Sequence, residues 1–268
     1  MSSSPRSFPS IFVSHGAPTL AVESNDTTEF LKQLGSELGK PDSILCVSAH
    51  WNTPSPAVSA AERPETIHDF GGFPEELYRI RYTAPGAPAL AARVKGLLES
   101  AGIDCDVVRD RGLDHGAWVP LRLMYPDADV PVAQLSVQPQ LDPRYHFRVG
   151  RALAPLREEG VLVLATGSAT HNLGRVDFGG QSDAPDWAAQ FDEWMFRKTV
   201  EGSVEELLDY RRLAPHAASA HPTDEHLLPF FVALGAGAEG GNARGRSLHR
   251  GWTLGSLSMG AYSFGADA

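Results

Sequence analysis

The sequence predicts an α/β fold, a single domain with a mostly parallel central sheet flanked by helices. Three short apolar runs bounded by turn residues have the composition of strands that are buried on both faces. Stretches with helical spacing of apolar residues separate them along the chain, and this alternation is typical of a doubly wound parallel sheet. The apolar runs lie at residues 11–14, 44–49 and 161–164.

In the first half of the chain, the elements follow in β-α-β order. After the strand at residues 11–14, Thr27 or Thr28 can cap a helix that extends to Leu38 and precedes the strand ending at His50. Residues 85–88 then open a second helix, and residues 105–108 form a short strand.

The second half continues the alternation. Residues 131–137 predict a strand and residues 145–156 a helix, which leads into the strand at 161–164. Later expectations are helices over residues 187–199 and 204–213, a helix capped by Thr223, a flexible loop over 235–245 and a final strand or strand pair within 252–264.

Composition narrows the function classes. The 268 residues fit one domain with a large core, residues 9–268, after a flexible N-terminal tail at residues 1–8. A net charge of −10 without a basic cluster argues against nucleic acids and anionic membranes as partners. No apolar stretch approaches the roughly 18 residues of a membrane span, and the two cysteines, Cys46 and Cys105, fit a reducing cytoplasmic setting.

Three histidines follow the three apolar runs. His15, His50 and His171 would lie where parallel strands end, at the edge at which open α/β sheets bind ligands. Small neighbouring residues leave room for a metal ion beside each imidazole. Taken singly, each histidine is more typical of a loop or a helix cap, whereas the joint arrangement predicts a metal site.

The remaining histidines give weaker signals. His221 and His226 are five residues apart, about 140° around a helix, so they cannot chelate one ion as an i, i+4 pair does. Either His226 or the adjacent Glu225 can point toward the sheet edge. His115 follows Asp114, a carboxylate that can orient it, and His68 lies in a similar loop. We expect the other three histidines at the surface, namely His146, His216 and His249.

Six segments, which together span nearly the whole chain, resemble the class III extradiol ring-cleavage dioxygenases, and more narrowly their 4,5-DOPA dioxygenase-like branch. Their order and spacing make the joint match far more specific than any single motif. The segments are Ser14-His15-Gly16-Ala17-Pro18, Ser48-Ala49-His50-Trp51, Thr66-Ile67-His68-Asp69-Phe70-Gly71-Gly72-Phe73-Pro74, Leu113-Asp114-His115-Gly116-Ala117-Trp118, Ala169-Thr170-His171-Asn172-Leu173 and Pro222-Thr223-Asp224-Glu225-His226.

The resemblance implies a role for each matching histidine. His15 and His50 would be metal ligands, and His226 the third. His171 would be the catalytic acid/base residue, and whether it is also a fourth ligand in the absence of substrate stays open. His115 would contact the substrate or support the site. Iron-dependent members of the broader family usually use two histidines and one carboxylate. The neighbouring Glu225 therefore keeps the third ligand, and with it the native metal, open.

The activity implied by the resemblance is extradiol cleavage of a catechol, DOPA-like or related, by dioxygen, which gives a ring-opened semialdehyde. Fe(II) would be the cofactor for activity, and Zn(II) can occupy the same imidazoles in purified protein. The small aromatic diol and dioxygen would be the partners, while the particular catechol and the oligomeric state stay open. Two alternatives are a zinc-dependent hydrolase that uses the same histidines to activate water and a non-catalytic metal-binding protein.

Overall fold

The central element of the computed structural model is one eight-stranded sheet, and the structure describes residues 6–177, 179, 183–238 and 243–265. The strand order is β4-β3-β5-β2-β6-β1-β10-β7, and β8 pairs with β9 in a separate two-stranded sheet. The strands are β1 (Ser10–Ser14), β2 (Ser43–Asn52), β3 (Ala57–Ser59), β4 (Asp106–Val108), β5 (Val132–Val137), β6 (Val161–Gly167), β7 (Gly245–His249), β8 (Trp252–Thr253), β9 (Leu257–Ser258) and β10 (Ala261–Phe264).

The four central strands are parallel. In the order β5-β2-β6-β1, each strand pairs in parallel with the next. The sheet changes direction at both sides of this group, because β3 is antiparallel to β5 and β10 is antiparallel to β1. The prediction of an α/β domain with a mostly parallel central sheet is therefore confirmed.

Helices cover both faces of the sheet. The helices are α1 (Asp26–Leu38), α2 (Glu75–Arg79), α3 (Pro88–Ser100), α4 (His115–Met124), α5 (Pro143–Leu153), α6 (Asp186–Glu201), α7 (Val204–Leu208), α8 (Tyr210–Leu213), α9 (Ala217–Ala220) and α10 (Leu228–Gly237). Alternate residues of each strand point to opposite faces, so Phe12 and Leu45 pack toward α3, α5 and α10, whereas Ile11 and Ile44 pack toward α1 and α4.

Glycines bring α5 and α10 into close contact. A Cβ atom on Gly150 would collide with the carbonyl oxygen of Val232, and one on Gly235 would collide with that of Phe147. The expectation of a flexible loop over residues 235–245 is therefore wrong at its start, since α10 extends to Gly237. Gly150 and Gly235 allow the two helices to pack closely. Residues 239–242 of the expected loop lie outside the described part of the chain.

Several helix boundaries differ from the expected ones. The N-cap of α1 is Asn25, whose side chain accepts a hydrogen bond from the amide of Thr28, so neither threonine is the cap. The helix expected at residues 145–156 is α-helical as far as Leu153 and continues as a 3-10 turn, Ala154–Glu159. The helix expected at residues 204–213 is divided at Asp209 into α7 and α8.

The N-terminal segment and two histidines also differ from expectation. Residues 1–5 of the expected tail lie outside the described residues, whereas Phe8 is buried and its amide donates to the carbonyl of Arg157. His146 was expected at the surface but is buried, and His249 is half-buried against Phe30, while His216 is exposed as expected. Within the described residues, no helix has the length and apolar character needed to cross a membrane.

Candidate active site

The edge of the sheet where β1, β2 and β6 end carries two of the predicted ligands. His15 directly follows β1, and its amide donates to the carbonyl of Gly167 at the end of β6 with an N···O distance of 3.0 Å. His50 lies near the end of β2. Because β6 pairs in parallel with both β1 and β2, this edge brings the two imidazoles together as expected.

His226 reaches the same edge from a turn. The amides of Leu227 and Leu228 both donate to the carbonyl of Asp224, and α10 begins only at Leu228. Thr223 is therefore not a helix N-cap, contrary to expectation. Pro229, in the first turn of α10, is compatible with this later start because it lacks an amide donor.

Contacts with the end of β6 fix the position of this turn. The amide of Ser168 donates to the carbonyl of His226 at 2.9 Å. A Cβ atom on Gly167 would collide with that same carbonyl oxygen, so glycine is required for the close approach. The turn is thus held against the strand that lies between β1 and β2.

The Nε2 atoms of three imidazoles converge. The Nε2 atom of His50 lies 3.0 Å from that of His15 and 3.3 Å from that of His226. Nitrogens that bind one metal ion at about 2.0–2.1 Å lie about 2.9–3.4 Å apart. The His15–His50 pair and the His50–His226 pair therefore each have the spacing of two ligands that share one ion.

These imidazoles are neutral near pH 7. Burial, with a smaller contribution from neighbouring histidines, lowers the pKa of His15 and of His226 well below the ordinary value. Burial also lowers the pKa of His50 to about 3, and the adjacent His115 adds to this effect. A neutral imidazole can offer a lone pair to a metal ion. Among the described residues, the Nδ1 atom of His15 has no hydrogen-bond partner.

Carboxylates lie beside two of the histidines. An oxygen of Glu225 accepts a hydrogen bond from Nδ1 of His226 at 3.0 Å, which leaves Nε2 with the lone pair. Asp69 Oδ1 accepts from Nδ1 of His115 at 2.9 Å. Partial burial acts to raise the pKa of Asp69, but the hydrogen bonds from His115 outweigh it and lower the pKa to about 2. Asp69 is therefore ionised at neutral pH.

His171 stacks on His226. The two ring centroids are 3.4 Å apart and the ring planes differ by 7°. The backbone amide of His171 donates to the carbonyl of Ala220, which fixes the loop that follows β6. Burial lowers the pKa of His171 to about 4, although the charge of Glu225 opposes this shift. A half-buried, neutral imidazole is suited to accept a proton beside the imidazole nitrogens of His226 and His50.

His115 completes the cluster from the first residue of α4. Its ring centroid lies 3.9 Å from that of His50 and 5.5 Å from that of His15. Two separate groups of side chains each have the spacing to hold a metal ion, with ligand atoms within 4.8 Å of one another. One group is His15, His50 and His115, and the other is His171, Glu225 and His226. All five histidines singled out from the sequence thus lie in one cluster.

The carboxylate that orients His115 is not the expected one. Asp114 is fully buried and receives hydrogen bonds from Arg111 and Ser48 rather than orienting its sequence neighbour His115. Asp69 takes that place, although no role was expected for this residue. The signal that was available is its position in the segment Thr66 to Pro74, one of the six that carry the resemblance.

Residues 9–261 match the family model described as the catalytic LigB subunit of aromatic ring-opening dioxygenase. The chain belongs to this family. Membership in the LigB family makes the protein an enzyme of the ring-opening dioxygenase class and confirms the resemblance carried by the six sequence segments. The family match and the His15, His50 and His115 group agree in indicating a metal-dependent enzyme.

Relatives of this LigB family member cover almost its full length. The protein named 4,5-DOPA dioxygenase extradiol in Beta vulgaris is 45% identical over 257 residues, which cover 94% of this chain and 95% of that protein. The protein of the same name in Escherichia coli (strain K12) is 43% identical over 231 residues, which cover 85% of this chain and 84% of that protein. The crystal structure of an uncharacterized Escherichia coli K12 protein is similar with a TM-score of 0.82 and 37% identity, and the match covers 96% of this chain and 99% of that one.

Proposed function

We propose that this protein opens the ring of a catechol next to its diol, using dioxygen, to give a ring-opened semialdehyde. The observation that carries the proposal is the convergence of the Nε2 atoms of His15, His50 and His226, at 3.0 and 3.3 Å, in a member of a ring-opening dioxygenase family. The relatives named 4,5-DOPA dioxygenase extradiol favour a DOPA-like or related aromatic diol as the substrate.

The proposed metal ligands are His15, His50 and His226. The hydrogen bond from His226 Nδ1 to Glu225 supports His226 as the third ligand, with Glu225 as the carboxylate that orients it. All three donors are imidazole nitrogens, which suit both Fe(II) and Zn(II), and we propose Fe(II) for activity. When bound, Fe(II) supplies the redox chemistry with dioxygen and leaves positions open for the two oxygens of a catechol.

The remaining two histidines handle the substrate and its protons. His171 is proposed to take a proton from a catechol hydroxyl and return it later, since a neutral imidazole stacked on His226 lies beside the reacting groups. His115 donates from Nδ1 to Asp69, so Nε2 is the ring nitrogen that we propose contacts the substrate. Cys46 and Cys105 are buried and unpaired, which fits the cytoplasmic setting that we propose.

The test is anaerobic loading with Fe(II), followed by oxygen and a panel of catechols that includes DOPA. We expect oxygen uptake matched to the appearance of a yellow ring-opened product. His171→Gln should lower turnover by roughly 10²- to 10⁴-fold, the usual contribution of a general acid/base. The matched control His216→Gln changes an exposed histidine and should retain wild-type turnover.

Two results would contradict the proposal. Hydrolytic activity of zinc-loaded protein, with no oxygen consumed by the iron-loaded form on any catechol, would favour the zinc hydrolase instead. Equal turnover in His171→Gln and wild type would remove His171 from the proton-transfer role while leaving ring cleavage in place.

A further inference from the structure

A single carboxylate contacts two of the clustered histidines. Asp69 Oδ1 accepts hydrogen bonds from both the backbone amide and the Nδ1 atom of His115, each at 2.9 Å. The other oxygen, Oδ2, lies 3.6 Å from Nδ1 of His50, which is an electrostatic contact rather than a hydrogen bond. Asp69 therefore lies between the outward-facing nitrogens of two imidazoles.

The segment that carries Asp69 is attached to the segment that carries His115. The amide of Ile67 donates to the carbonyl of Leu113 at 2.8 Å, and the indole nitrogen of Trp118 donates to the carbonyl of Ile67 at 3.0 Å. Leu113 and Trp118 flank His115 in sequence. The distance between Asp69 and His115 is thus fixed by backbone and indole hydrogen bonds that do not involve either side chain.

We propose that Asp69 is a positioning residue that selects the tautomer and orientation of both His115 and His50; the inference rests on the metal site proposed above. An ionised carboxylate only accepts hydrogen bonds, so the Nδ1 atom of His115 must carry the proton. For His50, the negative charge 3.6 Å from Nδ1 favours the tautomer that has its proton on that nitrogen. The lone pair of each ring is then on Nε2. For His50 this is the nitrogen 3.0 Å from Nε2 of His15, where a metal ion would bind.

Asp114, the sequence neighbour of His115, does not contact the His115 imidazole as Asp69 does. Asp114 is engaged with Arg111 and Ser48 behind the site, so it cannot supply the same contact. Carboxylates that hold the second nitrogen of a metal-binding histidine typically change metal affinity by about 10- to 100-fold when removed. Asp69 serves one proposed ligand, His50, and one substrate-contacting residue, His115.

The test compares full-length wild type with Asp69→Ala, Asp69→Asn and a surface control, Asp129→Ala. Nitrogen-15 NMR of the metal-free proteins reports which ring nitrogen of His115 and His50 carries the proton, and zinc affinity is measured by competition with a chelator. Asp69→Ala should let both rings populate the other tautomer and should weaken zinc binding about 10- to 100-fold. Asp129 pairs with Lys40 at the surface, so its removal should change neither measurement.

The asparagine variant separates the hydrogen bond from the charge. Its amide oxygen can still accept from His115, so the His115 tautomer should be retained, while loss of the charge facing His50 should give a zinc affinity between those of wild type and Asp69→Ala. If Asp69→Ala keeps the wild-type tautomers and binds zinc within about twofold of wild type, the proposal is wrong. The tautomer measurement needs no metal, catechol or oxygen, so it tests Asp69 even where the proposed ring cleavage fails.

Discussion

At the scale of single residues, burial lowers the pKa of several histidines, including His15, His50 and His146. His146 shows this away from the active site: its Nδ1 atom donates to the carbonyl of Asp142, and its Nε2 atom accepts from the amide of Gln138. Both ring nitrogens are thus satisfied in the neutral form. Burial lowers its pKa to about 4, although the hydrogen bond to Asp142 opposes the shift. The burial of His146 could not be predicted from its position in the sequence, because packing against the sheet decides which helix face is buried.

The lowered pKa of His146 predicts acid sensitivity of the fold. The unfolded chain, with a histidine pKa of about 6.5, binds the proton more tightly than the folded protein, so stability is full above that pH and falls between about pH 6.5 and 4. Urea unfolding of metal-free wild type and His146→Gln at pH 7 and pH 5 checks this. The variant should lose about 2 kcal/mol less over that interval, because its side chain does not titrate. Equal losses in the two proteins would contradict the assignment.

At the scale of elements, the first turn of α4 is packed directly against the end of β2. A Cβ atom on Gly116 would lie 2.6 Å from Ser48 Oγ and 2.8 Å from His50 Cδ2. A methyl group at residue 116 can be accommodated only if the Ser48 side chain or the His50 ring moves. The glycine in this segment therefore serves the close approach of a helix to a proposed metal ligand.

We expect Gly116→Ala to displace His50 and weaken metal binding by at least tenfold, with a cost in stability of about 1–3 kcal/mol from overpacking. Gly96→Ala is the matched control, because Gly96 is exposed in α3 and a Cβ atom there has no neighbour within 4 Å. That control should retain metal affinity and gain about 0.5–1 kcal/mol. Chelator competition and thermal unfolding give both values, and unchanged metal affinity in Gly116→Ala would show that the site adapts.

At the scale of the whole molecule, the architecture of the sheet could be predicted from the sequence more accurately than the positions of the turns. The apolar runs at β1, β2 and β6 predicted the parallel strands and the edge shared by His15 and His50, because strand burial is a local property of composition. The helix start near His226 was misplaced, since its turn is fixed by a contact with Ser168 that no local pattern encodes. The link between Asp69 and His115 was missed for the same reason: 46 residues separate the partners.

The proposed ligands come from distant parts of the chain, so metal binding should stabilise the entire fold. His15 follows β1, His50 is in β2 and His226 precedes α10, and unfolding would separate them. A metal at 100 times its dissociation constant adds about 2.7 kcal/mol, which raises the melting temperature by roughly 5–10 °C for a chain of this size. Differential scanning calorimetry with zinc and with a chelator measures the shift.

The His226→Ala substitution should abolish this shift in melting temperature, whereas Glu225→Gln and His115→Ala should retain it at saturating zinc, each relative to its own metal-free form. A shift lost in His115→Ala and kept in His226→Ala would instead assign the third ligand to His115, the other nitrogen within reach of His15 and His50.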